Sequence, residues 1–255
     1  MKIRSLIFYW TVSVILSGMV GVADGRQAEN ASNQLAIAIT TGKKSFQLGE
    51  IVPTNVTIKN NSKNVIHTSV DPCISISTRR DDDFKLYVPE GRLFTVDGAD
   101  VTNTLKPQET LRIQQSILWN SKPQVSHLNA DAAKPSLEGR ILSDYAFTAA
   151  GIYFIKACVG IVENGRWKIV ESEPIQILVE QPTGDELEVW NRIRGNGEIA
   201  YFMQEGNLTR GYKKPEELAK FRQEIEEILN SYPCSLYAEP LRQGLFKLNA
   251  RDAKR

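Results

Sequence analysis

Three cysteines and two histidines are the side chains in this chain with the readiest chemistry. Cys73, Cys158 and Cys234 allow one disulfide and leave one thiol over. His67 and His127 lie far apart, and neither belongs to a His-x-x-x-His metal spacing, so both read as surface or structural residues. Asp81-Asp82-Asp83 follows Arg79 and Arg80; clustered carboxylates can attract Ca²⁺, but the spaced ligands of a calcium loop are missing, and a solvated hairpin tip is the simpler reading. The sequence has no Gly-x-Ser-x-Gly nucleophile turn and no phosphate-binding glycine loop. It therefore assigns no catalytic, cofactor-binding or metal-binding residue.

The elements that would position these groups follow from periodicity. Leu35, Ile37 and Ile39 alternate with smaller or polar residues, and Val52 to Asn60 alternates again through Val56 and Ile58, a period of two that marks half-buried strands. Short apolar runs follow at Val65–Val70, Phe84–Val88, Leu93–Val96 and Leu111–Trp119, then at Phe147–Ile161, Lys168–Val170 and Ile175–Val179. Between them stand Gly49-Glu50, Asp71-Pro72, Pro89-Glu90-Gly91 and Pro107-Gln108, all turn chemistry. Many short strands with turns at such intervals predict an immunoglobulin-like β-sandwich over residues 35–182. Gly151-Ile152-Tyr153 fits the tyrosine corner of that architecture, in which a tyrosine hydroxyl bonds back to the backbone just upstream. Residues 120–140 are polar and Pro-punctuated, a long loop by any standard.

After Pro182-Thr183-Gly184 the period changes to about 3.6, which predicts a small all-α domain over residues 183–255. Leu187, Trp190 and Ile193 form one stripe, and Ile199, Phe202 and Met203 a second. Pro215 opens a longer helix with Leu218, Phe221, Ile225 and Ile228 on one face. Leu236–Leu248 is a fourth, with Pro240 in or breaking its first turn. Cys73 and Cys158 thus share the β region while Cys234 lies between helices, so Cys73–Cys158 is the candidate disulfide. If Tyr153, Ile155 and Ala157 face inward, Cys158 faces outward, and the bond would join strands on an outer face.

The chain has 255 residues, 42% hydrophobic and 24% charged, with a formal net charge of +1 and no basic cluster, which argues against a nucleic-acid partner. Met1-Lys2-Ile3-Arg4, an apolar run from Ser5 to Val22 and small residues at Gly21, Ala23 and Gly25 have the layout of a secretory signal peptide over residues 1–25. An uncleaved membrane anchor is the competing reading of that run. Residues 26–34 read as a flexible leader, and export implies a periplasmic or extracellular protein with no membrane insertion once the signal is removed. Sequons occur at Asn30, Asn55, Asn60 and Asn207, with Asn60 the natural acceptor if the host glycosylates.

On Phe46-Gln47-Leu48-Gly49-Glu50, Val56-Thr57-Ile58-Lys59-Asn60, Leu105-Lys106-Pro107-Gln108-Glu109 and Gly151-Ile152-Tyr153, the chain resembles bacterial secreted immunoglobulin-like sandwiches. The same turns look like those of the family named for an intracellular proteinase inhibitor of bacilli, although Gln108 stands where that family has glycine. Leu229-Asn230-Ser231-Tyr232-Pro233-Cys234-Ser235-Leu236-Tyr237-Ala238 is similar to the helix junctions of tetratricopeptide-like arrays in bacterial envelope proteins. These resemblances imply an exported, non-enzymatic binding or scaffold protein whose partner is another envelope protein. Large apolar groups crowd the helical segment, and Trp190, Tyr201, Phe202, Tyr212 and Tyr237 are the candidate interaction surface. The same residues could instead be buried against the sandwich. Two alternatives are a protease inhibitor using the 120–140 loop as bait, and a hydrolase whose carboxylates only the fold brings together.

Overall fold

A computed structural model describes residues 34–69, 71–87, 102–119, 145–163, 166–208 and 214–252. The signal segment, the leader up to residue 33, the run Leu93–Val96, the 120–140 loop with His127, and Tyr212 lie outside the described residues.

Among the described residues, eleven strands are followed by four helices: β1 (Leu35–Thr41), β2 (Ser45–Gln47), β3 (Val52–Asn60), β4 (Ile66–Ser69), β5 (Cys73–Ser77), β6 (Lys85–Tyr87), β7 (Thr102–Leu105), β8 (Thr110–Ile117), β9 (Gly151–Glu163), β10 (Arg166–Glu171), β11 (Ile175–Glu180), then α1 (Asp185–Ile193), α2 (Gly197–Glu205), α3 (Pro215–Ser231) and α4 (Ala238–Asp252). The smaller sheet has the order β1-β3-β8. The larger runs β2-β11-β9-β4-β7, with β10 also on β9 and the β5–β6 pair joined to β9. Among the described residues every strand pairing is antiparallel except β2 with β11. The chain is thus mainly β with a helical C-terminal segment, and strand gives way to helix between Glu180 and Asp185.

Alternation sets the inward faces. Val52, Thr54, Val56, Ile58 and Asn60 of β3 are buried, as are Tyr153, Ile155, Ala157, Val159 and Ile161 of β9. Both sheets and all four helices contribute to one apolar cluster. Tyr153 behaves as its spacing predicts: its hydroxyl donates to the Ala149 carbonyl at 2.9 Å, and the Ala149 N–H donates to it at 3.3 Å.

The two Gly/Gln-Glu turns share one construction. In each, the fourth residue's N–H donates to the first carbonyl at 3.0 Å, Glu50 to Gln47 and Glu109 to Lys106. In each, the glutamate carboxylate also takes the first residue's N–H, at 2.9 Å and 2.7 Å. The third residue must have positive φ: Gly49 adopts 79° and Gln108, without glycine's freedom, 64°. Asn60 braces the second turn. Its Nδ2 lies 2.8, 3.0 and 3.1 Å from the carbonyls of Asn64, Leu105 and Lys106. Asn60 is wholly buried, which corrects its reading as a glycan acceptor: its amide nitrogen is a structural donor with no access to solvent.

Three strands departed from the periodicity reading. β2, whose Phe46 and Gln47 read as part of the turn to Glu50, and β5 and β7 are too short to display a period, and β5 follows Asp71-Pro72 so closely that the turn signal masks it. Pro240 sits inside the first turn of α4, where the missing donor is harmless.

Candidate functional site

Of the five aromatic residues expected to form an interaction surface, four have other work, and Tyr212 lies outside the described residues. Trp190, Phe202 and Tyr237 are interior, and Tyr201 is half-buried against the core. The expectation of a displayed patch is corrected for these residues, because the sheets and the neighbouring helices together supply enough apolar surface to cover them. Trp119 and Tyr145 form a bridge between segments and stack edge-on with a centroid separation of 5.3 Å; Tyr145 and Trp190 do the same at 5.1 Å. The glycines at this seam mark close approach. A Cβ on Gly49 would lie 2.3 Å from the Trp190 ring, and one on Gly197 would lie 2.7 Å from Trp119. A Cβ on Gly244 would fall 2.5 Å from Phe202, whose ring also meets Phe221 edge-on.

Polar groups at the seam are satisfied by single atoms serving several donors. Gln204 Oε1 on α2 accepts from the Trp119 N–H at 2.7 Å, the Tyr87 hydroxyl at 2.8 Å and the Leu118 N–H at 3.0 Å. The Tyr237 hydroxyl donates to the Leu48 carbonyl at 2.6 Å, tying α4 to the β2–β3 turn. Glu186 in the first turn of α1 accepts from Ser235 Oγ and the Leu236 N–H, closing the junction before α4. Burial raises the pKa of Tyr145 and Tyr237, and nearby Glu186 and Glu50 push Tyr237 further the same way.

The candidate disulfide residues are brought together. Cys73 of β5 lies directly opposite Cys158 of β9, on the face away from the core, and no disulfide joins them in this structure. Cys234 is exposed at the helix junction. Burial raises the Cys158 pKa, with Ser75 opposing and Glu171 adding to the shift.

The remaining sequence candidates stay apart. His67 on β4 meets Thr104 Oγ1 through Nδ1 at 3.2 Å on the surface. Asp81–Asp83 lies in the exposed β5–β6 connection, where Ser77 Oγ donates to the Asp82 carbonyl. Among the described residues, no group of three or more His, Cys, Asp or Glu is placed to hold a metal. No described helix is long and apolar enough to cross a membrane.

A concave site is also present among the described residues, and sequence reading did not find it. A groove of about 540 Å³ lies where β1 and β11 meet at the side of the sheets, lined by Ile39, Thr40, Thr41, Lys44 and the β11 residues Ile175 to Leu178. Its volume falls in the range of small-ligand and peptide sites. Among the described residues β1 is the outer strand of its sheet, and β2 covers β11 only along Leu178–Glu180. The Leu178 N–H donates to the Lys44 carbonyl, and the Glu180 carbonyl accepts from the Leu48 N–H. Since backbone groups alternate along a strand, the N–H and C=O of Gln176 point to that same side, where no described strand pairs with them. No signal in the sequence could have shown this, because a strand's neighbours are set by the whole sheet.

No family model matches the chain, and no curated protein matches it. Solved structures to which it is similar include the alkylpurine DNA glycosylase AlkC of Pseudomonas fluorescens (9% identity, 58% of this chain and 30% of that one, TM-score 0.31). They also include PapD-like domain 7 of human CEP192 (9%, 66% and 96%, TM-score 0.29) and a CARDB domain from Pyrococcus furiosus (12%, 57% and 87%, TM-score 0.28). Likenesses at this level assign neither activity nor ligand to the chain.

Proposed function

We propose that this is an exported, non-enzymatic binding protein of the cell envelope. It is an immunoglobulin-like sandwich, braced at one end by a tetratricopeptide-like helical segment, that takes up an extended peptide segment of a partner protein at the β1/β11 groove. The groove carries the reading: apolar side chains from two sheets stand beside a stretch of β11 edge that no described strand pairs with. An added strand would gain main-chain hydrogen bonds at Gln176 and place side chains beside the half-buried Ile175 and the exposed Leu178. The sandwich reading is supported by two sheets sharing a core and by the Tyr153 corner. Export is supported by the signal-like sequence of residues 1–25.

Gln176→Pro tests the edge, since it deletes the outward donor and leaves the bonds of neighbouring residues to β9 in place. Leu178→Asp tests the apolar wall. A partner captured from the envelope fraction by the natural protein should be lost by both variants while their circular dichroism stays unchanged. Capture at the natural level by both folded variants would show that recognition lies elsewhere.

A further inference from the structure

We propose that Cys73 and Cys158 are joined by a cross-strand disulfide on the outer face of the larger sheet, made by exchange with an oxidant that itself carries a disulfide. The register places them directly opposite one another. Directly opposed residues of antiparallel strands have Cβ atoms about 4.5–5.5 Å apart, and a disulfide needs about 3.5–4.5 Å, so closure asks for a shift of about 1 Å. The surroundings allow it. Cys158 Sγ lies 3.5 Å from both Ser75 Oγ and Glu171 Oε1, so it is held by weak contacts that a sulfur–sulfur bond readily replaces. Glu171 holds Lys156 Nζ through its other carboxylate oxygen, at 2.5 Å.

The unequal burial of the two thiols orders the steps. Cys73 is the more open and Cys158 is buried. The Cys73 thiolate attacks one sulfur of the oxidant, the oxidant's S–S bond breaks, and its other sulfur leaves as a thiolate. Cys158 then gives its proton to Glu171 and attacks Cys73 Sγ, expelling the oxidant's second thiolate. Two protein thiols become one disulfide, and the oxidant's disulfide becomes two thiols.

The bond would secure an irregular place in the sheet. Thr68 pairs with Ile161 and Cys73 with Cys158, so four residues intervene on the β4–β5 side against two on β9. Such an excess interrupts the ladder, and a covalent link immediately beyond it fixes the register of β5.

The test starts from reduced, folded protein incubated with oxidised glutathione. Intact mass should fall by two hydrogens, and peptide mapping should join the Cys73 and Cys158 peptides. Cys234→Ser should still form the bond, whereas Cys73→Ser and Cys158→Ala should not. Reduction of the oxidised natural protein should lower Tm by roughly 10 °C, as a long closed loop implies. The proposal is overturned if Cys73 and Cys158 both remain open to alkylation after oxidation and denaturation, or if Cys234 supplies one end of the bond.

Discussion

β11 has two unlike neighbourhoods. Its C-terminal half lies beside β2, whose turn to β3 is the platform for α1 and α4: Trp190 covers Gly49, and Tyr237 bonds Leu48. Its N-terminal half, Ile175–Ile177, borders the groove with β1. The first region is closed by aromatic rings fitted to glycines. The second leaves the outward backbone of Gln176 without a paired strand among the described residues, and Leu178 at the border of the two is 41% exposed. Tight packing with matched backbone marks a place where substitution costs stability; an apolar edge with unmatched backbone marks a place where it costs binding.

Trp190→Ala should break this contrast most sharply. The ring fills the space over Gly49 and meets Tyr145, so its loss should destabilise by about 3–5 kcal/mol, read from the urea midpoint. An effect below 1 kcal/mol would mean that the helices are loosely attached.

Tyr237→Phe is a smaller and more specific cut. It leaves the buried Leu48 carbonyl without this donor, at a cost of about 1–3 kcal/mol. It also carries a pH signature. The folded state holds the Tyr145 and Tyr237 protons above their ordinary value of 10.0, while the unfolded chain releases them there. The unfolded state then binds fewer protons, so stability is level below pH about 10 and falls as pH rises beyond it. The variant should show a shallower fall, measured by urea midpoints across that range.

The smallest effect should come from Leu178→Asp in the groove. Its side chain is part-exposed on an edge, so the midpoint should move by no more than about 0.5 kcal/mol while partner capture is lost. A large destabilisation would make the groove a structural seam like the other.

Much of the fold was legible because its signals are local. Tyr153 and Ala149 are four residues apart, and each glutamate turn closes within four residues, so residue type and spacing suffice to read them. The stripes of α1 to α3 were equally readable, since 3.6-residue periodicity belongs to a single segment. The aromatic residues of the helical segment were recognised as a surplus, but their destination was not. Whether Phe202 faces solvent or Gly244 depends on a chain segment some forty residues away.

The sequence by itself determined most of the strand and helix segments, their main turns and the face on which Cys158 lies. Only the tertiary structure decided that Cys73 opposes Cys158, that Gln204 serves three donors from the sheet side, and that β2 stops short of covering β11. The physical reason is range. Periodicity and turn chemistry arise from backbone geometry over a few residues, whereas register, burial at a seam and an open edge depend on which distant segments pack together and on what space they leave.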